Sequence, residues 1–130
     1  MKSRTIEGNP VLKFAFEFSL EIINYCEQLE NKRRFIIAGQ LLKAGTSIGA
    51  NCFKAQNAES KADFIHKFKI AAKESEETKS WLLLCKYSKE YPDCTALLEK
   101  AENLNKLIGK ILSTSIRKHF ISYLLSSLYV

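Results

Sequence analysis

The sequence predicts an all-α fold: an antiparallel up-down-up-down four-helix bundle with a short C-terminal helical extension, built as one domain over residues 1–130. Three observations predict it. Helix breakers are scarce, with five glycines and two prolines in 130 residues, and no segment is strongly β-branched. Apolar residues recur at spacings of three and four in four stretches, about 10–30, 33–57, 61–90 and 94–118. Short polar punctuation separates them at Glu30-Asn31-Lys32, Ala58-Glu59-Ser60 and Tyr91-Pro92-Asp93. Helices joined by turns this short pack as antiparallel neighbours. With 46% apolar and 26% charged residues, the chain has an ordinary globular composition and enough length for one core.

Asn9-Pro10 opens the first helix, as a cap followed by proline at the first helical position. This helix carries two apolar stripes side by side. Leu12, Ala15, Phe16, Ser19, Ile23 and Cys26 form one, and Val11, Phe14, Phe18, Ile22, Tyr25 and Leu29 form the other. A surface helix of a monomer needs one stripe. The expectation is that the Leu12 stripe faces the core, leaving Phe14, Phe18 and Tyr25 for contact with another subunit. Phe35, Leu42 and Phe53 on the second helix, and Ile70, Trp81 and Leu84 on the third, join that expected interface because they also lie off the core seam. Such bands left in water would exceed what monomers usually tolerate.

The second helix is rich in small residues, with Gly39, Ala44, Gly45, Thr46, Ser47, Gly49 and Ala50 crowded together. A glycine inside a helix costs about 1 kcal/mol relative to alanine, so glycines here point to close backbone approach. Leu41, Ala44, Ile48, Cys52 and Ala55 form its core stripe. The expected partner of Gly45 and Gly49 is the third helix near Ser75 and Thr78, the small polar midpoint of a seam running Phe64, Phe68, Ala71, Ser75, Thr78, Leu82 and Cys85. Ser60-x-x-Asp63 reads as a capping box for that helix. Tyr91-Pro92-Asp93 stops it and caps the fourth, whose seam is Leu97, Ala101, Leu104, Ile108, Ile111 and Ser115. Residues 119–130 are amphipathic at helical spacing and read as a docking extension.

Catalytic constellations are scarce. His66 and His119 are the only histidines, and Asp63-x-x-His66 has no second copy with which to build a two-metal bundle site. No phosphate loop or nucleophile motif occurs. Glu74, Glu76 and Glu77 read as a solvated patch beside Lys73 and Lys79. Cys26, Cys52, Cys85 and Cys94 are widely spaced without a C-x-x-C pair, which predicts buried reduced thiols and a cytoplasmic location. The N-terminus has no hydrophobic signal core, and the C-terminal apolar run is too short to span a bilayer. Neither metal, cofactor, membrane nor enzymatic activity is expected.

Charge is unevenly placed. The chain carries +6, yet residues 1–31 hold three bases and five acids. Residues 32–58 hold five bases, Lys32, Arg33, Arg34, Lys43 and Lys54, and no acid. Lys32, Lys43 and Lys54 are eleven apart, close to three turns, so they line up on one face with Gln40, Ser47 and Asn51. Cations interleaved with hydroxyl and amide donors suit phosphates without base specificity. The candidate nucleic-acid-binding residues are therefore Lys32, Arg33, Arg34, Lys43, Ser47, Asn51 and Lys54. The competing reading is a solvated outer face on a protein-interaction or scaffold module.

The run Gln40-Leu41 … Ser47-Ile48 … Ala50-Asn51 resembles the signature helix of bacterial four-helix bundle proteins encoded in intervening sequences of 23S rRNA genes. Asp63-Phe64-Ile65 … Lys67 … Ile70-Ala71 … Lys73-Glu74 … Glu77-Thr78 … Trp81-Leu82 looks like the third helix of the same family. The resemblance covers roughly residues 10 to 118, and extends distantly to the accessory bundle protein of diversity-generating retroelements. It implies a non-enzymatic subunit of a ring, commonly a homopentamer, with RNA or DNA as a partner. One departure stands out: Lys54 occupies a region where the family usually has an acidic residue.

Overall fold

The structure, a computed structural model, describes residues 6–129. Residues 1–5, where the sequence lacks a signal core, and Val130 of the tail lie outside them. Four helices fill the described chain: α1 (Pro10–Asn31), α2 (Phe35–Ala55), α3 (Lys61–Tyr87) and α4 (Thr95–Leu128). Each packs on its neighbours in sequence, and α1 also packs on α4, closing a four-membered ring around one core. The registers run in opposite directions along the chain. Glu21 meets Lys100 while Tyr25 meets Pro92, and Ile22 meets Gly45 while Ala15 meets Gly49.

Asn9 caps α1, its side chain accepting a hydrogen bond from the Leu12 N–H at 3.4 Å, with Pro10 in the first turn. The face that α1 buries differs from the expected one. Val11, Phe18, Ile22, Tyr25 and Leu29 are enclosed, flanked by Leu12, Ala15 and Cys26. Phe18 is 0% exposed and Tyr25 3%, so neither is an outward contact residue. Phe16 and Ile23 turn to solvent instead, at 42% and 41%. The bundle takes the bulkier stripe inside, because that rotation removes more apolar area from water. Tyr25 tolerates burial because its hydroxyl donates to the Pro92 carbonyl at 2.7 Å.

Rotating α1 this way brings it against the glycines of α2. A Cβ on Gly45 would lie 2.8 Å from Ile22 Cγ2 and 2.9 Å from its Cγ1. One on Gly49 would lie 3.3 Å from Ser19 Oγ and 3.5 Å from the Ala15 carbonyl oxygen. The glycines therefore serve the α1–α2 crossing, and the expected approach to Ser75 and Thr78 of α3 is corrected. Those two residues are fully buried on their own seam. Thr78 donates to the Glu74 carbonyl at 2.7 Å, whereas Ser75 Oγ has no partner.

The first turn is a Schellman closure. The Arg34 N–H bonds to the Leu29 carbonyl and the Arg33 N–H to the Glu30 carbonyl, both at 2.8 Å. The residue at the turn's left-handed position is Arg33, with φ 63°. Helix α2 consequently starts at Phe35 rather than Arg33, and the chain direction breaks between Lys32 and the helix. A non-glycine residue in this conformation costs about 1–2 kcal/mol. Arg33→Gly is expected to raise the unfolding free energy by about 0.5–1 kcal/mol, after subtracting the added freedom of the unfolded chain. A chemical denaturation midpoint that does not rise would rule out the left-handed turn.

Ser60 caps α3, accepting from the Asp63 N–H at 3.0 Å. The Asp63 carboxylate accepts from the Glu59 N–H, which with Lys67 nearby holds its pKa below the usual carboxylate value. Helix α3 ends at Tyr87, three residues earlier than expected, and Glu90 takes a left-handed φ of 60°. Cys94 rather than Asp93 is the residue preceding α4, and its thiol donates to the Leu82 carbonyl of α3. Helix α4 then runs 34 residues without interruption. At 1.5 Å per residue it is about 51 Å long against about 33 Å for α1. Its last turns outrun the bundle, and every residue from Ile116 to Tyr129 is exposed. The tail is thus a continuation of α4 that projects, not an extension docked on its own subunit.

Candidate nucleic-acid interface

Helix α2 carries no acidic residue, and its outer face holds Lys43 and Lys54, both exposed. Eleven residues separate them, so they stand about 16 Å apart and about 20° apart around the axis. Lys32 does not extend this row, because it terminates α1 across the Schellman turn. In its place the first turn of α2 presents Ile36, which is 87% exposed. The neutral donors are also committed elsewhere. Ser47 Oγ donates to the Lys43 carbonyl at 2.6 Å, and Asn51 Nδ2 donates to the Ser47 carbonyl at 2.9 Å. Asn51 is only 9% exposed, because it sits about 80° around the helix from Lys43, on the flank that turns inward.

The remaining cations form a corner at one end of the bundle. Lys32 and Arg33 are exposed. Arg34 is half-buried, with its guanidinium 5.1 Å from the centre of the Tyr91 ring and its Nε without a hydrogen-bond partner. Tyr91 is a residue that the sequence reading did not connect with the arginines. The signal was available in the topology, since antiparallel packing puts the α1–α2 and α3–α4 turns at the same end. The basic residues thus divide into two groups, a corner formed by Lys32, Arg33 and Arg34 and a pair formed by Lys43 and Lys54.

The apolar residues off the core seam also redistribute. Phe35, Leu42 and Leu84 are exposed. Phe14, Phe53 and Trp81 are half-buried and pack against the core, and Ile70 is half-buried. The residues that reasoning on the sequence missed are Phe16, Leu20 and Ile23, the stripe that α1 turns outward. Gly45 and Gly49 mark the side of α2 that touches α1. Leu42 and Thr46 lie next to them around the helix, and Phe16 and Ile23 lie next to Ser19 and Ile22 on α1. One apolar surface therefore crosses the α1–α2 junction, about 90° from the lysine pair.

The family model described as 23S rRNA-intervening sequence protein matches residues 7–110. The chain belongs to this family. A crystal structure of a protein of unknown function from the S23 ribosomal protein family of Bacteroides thetaiotaomicron VPI-5482 superposes with a TM-score of 0.75. It is 38% identical, and the alignment covers 78% of this chain and 97% of that one. No curated protein matches the chain.

In this 23S rRNA-intervening sequence family member, the matched residues take in α1, α2, α3 and the first half of α4. Both lysines of the α2 pair, the basic corner and the apolar junction lie inside the match. The projecting end of α4 lies outside it. All four cysteines are free and buried. Burial pushes the Cys26 and Cys52 thiols up to about 12 and Cys85 to about 11, so they stay protonated and unreactive near neutral pH. Among the described residues no three His, Cys, Asp or Glu side chains are grouped to hold a metal ion, and no helix is long and apolar enough to cross a membrane.

Proposed function

We propose that this protein is a non-enzymatic, self-associating helical bundle that binds RNA or DNA through its basic surface, without base specificity. The observation that carries the reading is the outer face of α2, where Lys43 and Lys54 stand exposed on a helix with no acidic residue. Two cations about 16 Å apart reach phosphates about five nucleotides apart on one strand, given roughly 3.4 Å per nucleotide. The basic corner adds Lys32 and Arg33 as exposed cations, with Arg34 held against Tyr91. Ser47 and Asn51, bonded to their own helix, contribute little. Contacts confined to phosphate position a strand and do not read its bases. The family's name, which refers to 23S rRNA intervening sequences, accords with an RNA partner.

The charge reversal Lys43→Glu with Lys54→Glu tests this on mixed RNA and DNA over a salt series. Affinity is expected to fall for all sequences alike, and the slope of log affinity against log salt to become shallower by about one unit per lost phosphate contact. If the variant binds with an unchanged slope, the pair is a solvated face. The second reading, a protein scaffold, is favoured by a different observation, the apolar surface across α1 and α2. Apolar docking is nearly indifferent to salt, so the same series separates the two.

A further inference from the structure

We infer that the projecting end of α4, with the basic end of the bundle at its root, is a docking surface for an anionic lipid bilayer. The inference does not rest on the nucleic-acid reading, with which it shares Lys54. Beyond the family match, α4 continues past the other helices, and its tip is apolar over most of its circumference. Phe120, Ile121, Tyr123, Leu124, Leu125 and Leu128 are all exposed and, at 100° per residue, cover an arc of about 200°. Ser122 and Ser126 lie opposite. From residue 103 to the end the sequence holds Lys106, Lys110, Arg117 and Lys118 and not one acid. A groove joins Lys118 and Ser115 of α4 to Ala55 at the end of α2 and to Lys61 and Phe64 at the start of α3. Lys61 and Lys118 therefore share this groove where the tip leaves the bundle, and Lys54 and Arg117 are next in sequence to the lining residues Ala55 and Lys118. The acids at this end are Glu7, Glu59 and Asp63, and the Asp63 carboxylate is engaged by the Glu59 N–H and by Lys67.

Charge chooses the occupant. A second copy of the tip laid alongside the first would bring two Arg117-Lys118 collars together with no acid within the segment to pair them. Nucleic acid would use the collar but leave the aromatic and aliphatic tip in water. An anionic bilayer satisfies both parts, since basic residues near the surface are attracted to acidic headgroups and the apolar arc enters the headgroup–acyl boundary. Tyrosines such as Tyr123 suit that boundary, where one end of the ring is apolar and the other wet. No helix of the described residues is long and apolar enough to cross a membrane, so the tip is assigned to the interface.

The experiment is flotation of the full chain with vesicles of phosphatidylcholine plus phosphatidylglycerol and with phosphatidylcholine alone. Co-flotation is expected only with the anionic vesicles and should decline as salt rises. Leu124→Glu with Leu128→Glu should reduce vesicle partitioning about tenfold or more, and Arg117→Glu with Lys118→Glu should do so to a similar degree. Neither should alter the melting temperature or the native mass. The inference is overturned if the unaltered chain stays with the buffer, or if both variants float as it does. It is equally overturned if the tip variant lowers the native mass, which assigns the tip to subunit contact, or if that variant abolishes RNA binding.

Discussion

Gly45→Leu is expected to be the most destabilising single change on the α1–α2 crossing, with a loss of about 3 kcal/mol or more. The first added carbon alone would stand 2.8 Å from Ile22 Cγ2, and Ile22 is fully buried. Three further carbons must then fit between two helices already in contact. Against a typical domain stability of about 5–15 kcal/mol, that is a large fraction. Gly45→Ala isolates the first carbon. A helix interior gains about 1 kcal/mol from Gly to Ala, so a net loss measures a clash larger than the loss itself. Gly39→Ala is the control, since a Cβ there meets nothing within 4 Å, and it should gain the full propensity term. Pairing Gly45→Ala with Ile22→Ala removes the three atoms it strikes. The double variant should lose less than the sum of the singles by about 1 kcal/mol or more. A neutral or stabilising Gly45→Ala on its own would show that the helices are not in contact at this point.

The number of helices and most of their caps were legible in the sequence because they rest on local signals. Asn9-Pro10 and Ser60-x-x-Asp63 act through hydrogen bonds within a turn of their own helix; both caps form, with the Asp63 carboxylate accepting from the Glu59 N–H rather than from that of Ser60. The α3 seam was legible because Phe64, Phe68, Ala71, Ser75, Thr78, Leu82 and Cys85 form a single stripe; the last six are buried, and Phe64 at the helix start is half-buried. The rotation of α1 was not, because two stripes of similar weight lie side by side and only the partner helix decides between them. Choosing the wrong one carried Phe18 and Tyr25 to the surface and sent the glycines of α2 to the wrong neighbour. The alignment of Lys32 with Lys43 and Lys54 failed for another reason. It assumed one helix through residues 32–54, and the turn that breaks it uses Arg33 in a left-handed conformation, where glycine or asparagine would have been the readable signal. Asn51 was read onto the polar face of Lys43, Ser47 and Lys54 and is nevertheless enclosed, since about 80° around the helix from Lys43 that face turns inward. The apolar face of α4 changes side near residue 116, where the seam positions continue as Lys118, Ser122 and Ser126 and the tip's apolar arc lies opposite. Period alone states that the segment is helical, and only this change of phase marks where its neighbours stop.

The outward stripe of α1 sets the other large expectation. Leu20→Glu with Leu42→Glu should convert an assembly into monomers at micromolar concentration, weakening association by about three orders of magnitude or more. The two leucines sit on the apolar surface across α1 and α2, 53% and 38% exposed in the isolated subunit. Burying one such side chain contributes about 1.5–3 kcal/mol, and placing a carboxylate there adds the penalty of desolvating an unpaired charge. Every subunit contributes both positions, so the losses multiply around any closed assembly. Because neither leucine belongs to the subunit core, the helical signal should persist while the native mass falls to about 14.8 kDa. A loss of helix together with mass would instead place these residues in folding. Truncation after residue 118 is the companion measurement. The family match ends at residue 110, so removing the projecting tip should leave the number of subunits per assembly unchanged. The idea of self-association through this surface fails if the unaltered chain already runs as a 14.8 kDa monomer, and the choice of surface fails if the double variant assembles as before.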